Sequence, residues 1–298
     1  MPNHFNQQVI DEFRANAGQV GGYFEGARLL LLTTTGARSG APHTTPVGYY
    51  PDGGERVFVI ASAGGAPAHP DWFHNLVAHP RLTVETGVFT YEAEAVVLDG
   101  AERDRVFARA VEADPGWAAY QAKTDRVIPV VALHEVAKDG PPRSTASTMG
   151  EYLRIVHDAF RRELVLIRKE TASHVSGVGT GGRAPLGAQL RVNCLTLCQG
   201  LHNHHAGEDL ALFPLVADRH PELAPALARL RGEHERIAAL LDELRTALTG
   251  PGDGTAGEPG LGPARLLAEV DRLTAELEAH LRYEEEQLIP LLDAVPAP

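Results

Sequence analysis

One short stretch decides how the C-terminal half folds, and it reads Leu201-His202-Asn203-His204-His205-Ala206-Gly207-Glu208-Asp209. Residues four apart stack on one face of a helix, so His204 and Glu208 can hold one ion between an imidazole and a carboxylate. A single pair of this kind is weak evidence. The pair continues an apolar stripe of the type that a helix turns toward a core, formed by Leu190, Cys194, Leu197 and Leu201.

The same pattern recurs in three further segments, in each of which a histidine replaces leucine within an apolar stripe. The stripes are Leu153, His157, Phe160, Leu164 and Ile167; Leu223, Leu227, Leu230, His234, Ile237, Leu241 and Leu244; and Leu266, Val270, Leu273, Leu277, His280 and Glu284. Burying these groups unpaired would cost roughly 1–3 kcal/mol for each neutral group and more for each charge. A shared metal centre removes that cost, whereas the alternative is a set of separate buried His–Glu pairs. We predict a metal-binding helical bundle.

The donor types favour iron, because carboxylates can bridge and imidazoles can terminate, and they exclude an all-sulfur zinc site. The set of His157, His204-x-x-x-Glu208, His234 and His280-x-x-x-Glu284 resembles the hemerythrin-like (HHE) family. The resemblance implies an all-α, up-down four-helix bundle that holds two iron ions as a non-haem di-iron centre. It also implies that Glu208 and Glu284 bridge the irons and that the four histidines are terminal ligands.

One position departs from that family. Oxygen-carrying hemerythrins have a second histidine one turn after the third-helix ligand, and this chain has Ala238 there. The departure leaves an open position, or one filled by His205 or by water. It favours reactivity over simple oxygen storage.

Length and composition allow two ordinary domains in 298 residues. The net charge of −12 predicts no general affinity for nucleic acid or anionic membranes. No apolar run reaches the length of a membrane span, and the first residues lack a secretion signal. Cys194 and Cys198 are expected to be reduced core residues, with a metal or redox role as the minor alternative, so we expect a cytoplasmic protein.

Short strands with interposed helices fill the N-terminal half. Strands are predicted over 28–35, 43–50, 56–62, 81–86, 89–98 and 127–136, and helices over 5–17, 70–76 and 101–113. This order fits a small closed or split barrel better than a parallel sheet. The predicted fold class is therefore multidomain α+β: a split β-barrel over 1–137, a linker over 138–147, and the four-helix bundle over 148–298.

Three stretches of the barrel carry a second resemblance: 31–40 (LLTTTGARSG), 61–65 (ASAGG) with 69–76 (HPDWFHNL), and 120–131 (YQAKTDRVIPVV). In this order they resemble the deazaflavin-dependent nitroreductase family, split β-barrels that bind coenzyme F420. The resemblance implies Tyr120 near the substrate as the catalytic residue. It further implies a coenzyme site lined by Arg38, Ser39, Thr45, Pro46, Ser62, Gly64, Gly65, Trp72 and Asn75.

The residue chemistry agrees with such a ligand. Glycine-rich turns let backbone amides approach a phosphate, and Arg38 could pair with it through two N–H groups. Trp72 and Tyr120 could wall a flat ring or be ordinary core residues, and the glycines could serve turn geometry alone. Family members commonly carry lysine where this chain has Ala63, which could lower affinity for F420 or shift the choice toward FMN.

The two halves together predict a redox enzyme. The reduced coenzyme would give a hydride to a small acceptor such as a quinone or nitro compound, and the di-iron centre would bind or activate oxygen, peroxide or nitric oxide. A deazaflavin is a poor one-electron donor, so electron exchange between the sites does not follow. The alternatives are an iron-storing or redox-sensing protein with a degenerate barrel, a di-iron oxygenase with another reductant, and peroxide disproportionation at the iron. A homodimer is compatible with the sequence but not required by it.

Overall fold

The computed structural model describes residues 4–53, 56–87, 89–136, 143–177, 187–249 and 263–297. Within these ranges the chain forms two compact units; Gly187–Gln189 belong with the residues up to Thr145, and the second unit begins at Ala146. Residues 138–142 of the predicted linker lie outside the described residues. No helix in the described ranges is both long and apolar enough to cross a membrane.

Six strands of the first unit close into a barrel. Antiparallel pairs join β4-β1-β2-β3-β6-β5 in that order, and β4 also pairs with β5, which closes the sheet. The predicted split barrel is confirmed. Its strands are β1 (Leu29–Thr35), β2 (Pro42–Pro51), β3 (Arg56–Ile60), β4 (Arg81–Glu85), β5 (Phe89–Val97) and β6 (Val130–Glu135), with the short β7 (Arg143–Ser144) added at β5. The helices of this unit are α1 (His4–Ala15), α2 (Asp71–Ala78), α3 (Gly100–Ala113) and α4 (Gly116–Gln121).

The run of leucines in β1 is buried on both faces, because successive strand residues point to opposite sides. Leu30 and Leu32 join the barrel interior, where they pack with Trp72 of α2. Leu29 and Leu31 pack instead against α1 on the outside of the barrel. The continuous apolar run is therefore explained by a strand that is covered on both faces.

The helices of the second unit are α5 (Met149–Gly177), α6 (Ala188–Gly207), α7 (Phe213–Arg219), α8 (Ala224–Thr249) and α9 (Pro263–Leu292). α5 begins with a side-chain cap, in which the Thr148 hydroxyl accepts from the Glu151 N–H at 3.0 Å. A π-helical turn, Glu208–Leu212, lies between α6 and α7. Pro214 then lies in the first turn of α7, where its missing N–H costs nothing.

The second unit has two apolar clusters, and the metal-capable residues lie between them. One cluster includes Leu164, Leu197, Ile237 and Leu277, and the other includes Leu153, Phe213, Leu230 and Leu288. Helices α5 and α8 both begin at the cluster of Phe213 and end at the cluster of Leu197. Helix α9 runs in the opposite direction, and so do α6 and α7 taken together. The helices therefore alternate in direction, as in an up-down bundle. Each passes its histidine midway between the clusters.

Candidate metal centre and coenzyme site

The bundle brings all six metal ligands predicted from sequence to one buried place, and it adds His205. Two groups of ligand atoms can be distinguished, each with its atoms within 4.8 Å of one another. They are His157, His204, Glu208 and Glu284 on one side, and His205, His234 and His280 on the other. The structure therefore brings together two neighbouring groups, each of which could hold a metal ion.

The two glutamates lie between these positions. Glu208 places Oε1 at 3.2 Å from His204 Nε2 and Oε2 at 3.5 Å from His234 Nε2. Glu284 Oε2 lies 3.6 Å from His157 Nε2 and 3.5 Å from His280 Nε2. Each carboxylate thus reaches both groups, which is the placement that a bridging ligand needs.

Three of the histidines turn Nδ1 away from the centre to a carboxylate that is itself near an arginine. The three series of side chains are His157–Glu285–Arg161, His280–Glu233–Arg229 and His234–Asp209–Arg231. In the first, Glu285 Oε1 lies 2.8 Å from His157 Nδ1 and 2.8 Å from Arg161 Nη1. A carboxylate that is hydrogen-bonded to Nδ1, as for His157 and His280, fixes the ring and leaves the Nε2 lone pair for a metal. His234 Nδ1 lies 3.1 Å from Asp209 Oδ2 but does not meet hydrogen-bond geometry.

Within the described residues most of the inward atoms have no hydrogen-bond partner; the exceptions are His157 Nε2 and His204 Nε2, which lie 3.1 Å apart. Nε2 of His205, His234 and His280 and both carboxylate oxygens of Glu208 and Glu284 are buried without a hydrogen bond. Buried polar atoms in this state are costly, and a metal ion that accepts lone pairs from all of them would remove that cost. Nitrogen and carboxylate donors without sulfur suit iron-type ions.

Burial also sets the protonation of the metal-free site. Desolvation lowers the pKa of all five histidines, that of His280 to about 4. Desolvation, followed by the neighbouring Glu284 carboxyl, raises the pKa of Glu208 well above its usual value, and burial raises that of Glu284 to about 8. The imidazoles are therefore neutral and ready to coordinate at neutral pH, while the glutamates lack the cation that would ionise them.

In the barrel, α2 connects two of the turns predicted to line a coenzyme. Asn75 is buried; its Oδ1 accepts from the Ala37 N–H at 2.9 Å, and its Nδ2 donates to Thr34 Oγ1 at 3.0 Å. These bonds hold the β1–β2 turn, on which Arg38 and Ser39 are exposed. Asn75, which was predicted to line the coenzyme site, therefore also holds the β1–β2 turn in position.

The second turn runs from Ser62 to Gly65 and has unusual backbone geometry. Ala63 has a φ of 48°, and Gly65 has a φ of 84° and packs so closely that an added Cβ would lie 2.6 Å from the Tyr120 carbonyl oxygen. Arg126 clamps this turn by donating to the Ser62 carbonyl at 2.6 Å and to the Ala66 carbonyl at 2.9 Å. The sequence motif contains Arg126, but a side-chain contact with backbone carbonyls leaves no sequence signal.

The aromatic residues predicted near the coenzyme lie in different layers. Trp72 is buried in the barrel interior. Tyr120 packs with Trp117 against the outer cluster that contains Phe58. A hydrogen bond between the Tyr120 and Tyr23 side chains raises the pKa of Tyr120. Thr45 and Pro46 are half-buried on β2, opposite Leu32 and Leu31 of β1 in the sheet register.

Fold and sites together define the class: a closed barrel with a candidate coenzyme site, followed by a four-helix bundle with a candidate metal centre. Residues 6–135 match the family described as F420H(2)-dependent quinone reductase, and residues 148–292 match the hemerythrin HHE cation binding domain. An F420H(2)-dependent quinone reductase of Mycobacterium tuberculosis is 36% identical over 125 residues, 41% of this chain and 83% of the relative. The chain therefore belongs to the F420H(2)-dependent quinone reductase family, carries an HHE domain as well, and is an oxidoreductase. Both resemblances drawn from the sequence are confirmed.

Solved structures also match the barrel. An F420-H2 dependent reductase is 40% identical with a TM-score of 0.33, and the match covers 36% of this chain and 94% of that one. A structure described as a domain-swapped dimer is 33% identical with a TM-score of 0.35, and the match covers 45% of this chain and 100% of that one.

Proposed function

We propose that residues 1–137 form an F420-dependent reductase of quinones and that residues 148–298 hold two iron ions that bind or activate oxygen, peroxide or nitric oxide. The observation that supports the metal function is the set of buried, unpartnered nitrogen and oxygen atoms between two apolar clusters. The coenzyme function is supported by the 36% identity to a relative that is an F420H(2)-dependent quinone reductase.

In the bundle, His157, His204, His234 and His280 would be terminal ligands, and Glu208 and Glu284 would bridge. Bound iron supplies redox chemistry and coordination sites for a small molecule. The chain holds the ligands in place through the outward carboxylates and keeps bulk water away by burial. The His204 side chain is 12% exposed, whereas those of the other proposed ligands are at most 5% exposed, so a small molecule would reach the centre beside His204.

In the barrel, reduced F420 would supply a hydride to the acceptor and become oxidised, with FMN as the alternative coenzyme because Ala63 replaces a lysine. Arg38 and the backbone amides of the turn around Gly64 would bind the anionic tail. Tyr120 is protonated at neutral pH, as tyrosines ordinarily are, so its hydroxyl would donate to an acceptor oxygen. Quinones take two electrons, which suits hydride transfer better than a one-electron acceptor.

The test mixes the purified full chain, without air, with F420H2 and a soluble quinone, while iron is measured by elemental analysis and by the visible spectrum. Turnover that is weakened by Arg38→Ala but kept by Arg105→Ala, an exposed arginine of α3, supports the reductase. Tight coenzyme binding without turnover would favour a sensor. A folded protein that retains no transition metal after anaerobic ferrous loading would exclude the metal function.

A further inference from the structure

We infer that His205 is a metal ligand that supplies from α6 the imidazole missing from α8 at Ala238. This inference rests on the proposed metal function. It resolves the position that the sequence left open, and it makes the two metal positions different: three imidazoles on one side and two on the other.

The helix geometry of α6 places His205 on the correct side of Glu208. With about 100° of rotation per residue, Glu208 lies about 40° and His205 about 100° from His204 around the helix axis. Glu208 is therefore flanked by one imidazole on each side. Its two oxygens show the same order, since Oε1 approaches His204 and Oε2 approaches His234, the partner of His205 in the other group.

His205 is also buried and aimed at the centre. It is 5% exposed, and its Nε2 has no hydrogen-bond partner. Its ring lies parallel to that of His234 with centroids 4.2 Å apart, and edge-on to that of His280 at 5.1 Å. His202, three residues earlier on the same helix, is exposed, so burial distinguishes His205 from an ordinary helix histidine.

The α8 position cannot take this role in the present chain. Ala238 has no donor atom and is exposed, one turn beyond the buried His234. His205 therefore completes the group with His234 and His280. The side that holds His157 and His204 has fewer imidazoles and lies nearer to solvent, so the exchangeable coordination sites fall there.

The experiment compares the full-length wild type with His205→Ala and, as the matched control, His202→Ala. Each protein is loaded anaerobically with ferrous iron alone, and bound iron is counted and its two sites are resolved by Mössbauer spectroscopy. We expect about two irons in the wild type and in His202→Ala, but about one, with one iron signal lost, in His205→Ala. Added free imidazole should restore the second iron.

Two outcomes overturn the inference, and they are distinguishable. Two irons with unchanged signals in His205→Ala exclude His205 as a ligand while leaving the proposed function intact. No iron in the wild type removes the proposed function and the inference together. If His205→Ala fails to fold when metal-free, judged by circular dichroism, His205→Gln keeps the side-chain volume and is measured in the same way.

Discussion

Among single residues, Glu285 shows how a group outside the centre controls a ligand inside it. Its carboxylate holds His157 Nδ1 and is itself held by Arg161; burial opposes ionisation, but these hydrogen bonds prevail and lower the pKa of Glu285 to about 2. Partners of this kind change metal affinity by roughly 10–100-fold. We expect Glu285→Gln to weaken ferrous iron binding by that factor, measured by competition with a chelator. The matched control, Glu286→Gln at an exposed neighbour, should leave affinity unchanged, and equal affinities in the two variants would contradict the role.

The raised pKa values of Glu208 and Glu284, the carboxyls proposed to bridge, predict how metal affinity depends on pH. Glu284 keeps its proton up to about pH 8 in the metal-free protein but must lose it to bind a cation, whereas His280, with a pKa of about 4, is already neutral. Affinity for ferrous iron should therefore rise up to tenfold per pH unit for each proton released between pH 6.5 and 8, then level off. The measurement is a chelator competition corrected for the chelator's own protonation. A flat profile would show that the glutamates are ionised without metal.

The same shift predicts the opposite trend for folding. The pKa of the Glu284 carboxyl is 4.5 in the unfolded chain and about 8 in the folded chain. Its contribution to folding stability is therefore lost as the pH rises from 4.5 to about 8. The buried histidines have lowered pKa values in the folded chain, so they make stability rise with pH, but only up to their unfolded pKa of 6.5. Between pH 6.5 and 8 the metal-free bundle should therefore lose about 2 kcal/mol for one such group. Urea unfolding of the metal-free chain at both pH values tests this. If Glu284→Gln shows the same loss of stability, a group other than Glu284 causes it.

At the scale of elements, α2 matters because one of its side chains orders a turn in the neighbouring sheet. Asn75→Ala would remove the hydrogen bonds to the Ala37 N–H and to Thr34 Oγ1, leaving the Thr34 hydroxyl only its long bond to the His43 carbonyl. We expect a loss of about 1–3 kcal/mol in unfolding free energy and weaker F420 binding by fluorescence titration. Val77→Ala, at a site 62% exposed on the same helix, is the control. Full coenzyme affinity in a destabilised Asn75→Ala would limit Asn75 to a structural role.

Elements with a strong periodic signal could be predicted from the sequence, and elements without one could not. The apolar stripes located the bundle helices, and the leucines of β1 located a strand, because burial repeats at the helix or strand period. The helix α4 (Gly116–Gln121) is too short to carry a stripe, and the π-helical turn at Glu208–Leu212 depends on packing rather than on residue type. The i,i+4 spacing selects His204 with Glu208 as ligands, so His205 was named from the sequence only as one way to fill the position left by Ala238.

At the scale of the whole molecule, each unit has its own apolar core, so each should unfold in its own transition stabilised by its own ligand. A ligand at 100 times its Kd adds about 2.7 kcal/mol, which corresponds to a rise in Tm of roughly 5–10 °C for a unit of this size. Calorimetry of the full chain should therefore show ferrous iron raising one transition and F420 raising the other. Glu284→Gln should abolish the iron shift and keep the F420 shift, and magnesium, which prefers oxygen donors, should shift neither. A single transition that both ligands move equally would mean that the barrel and the bundle unfold as one cooperative body.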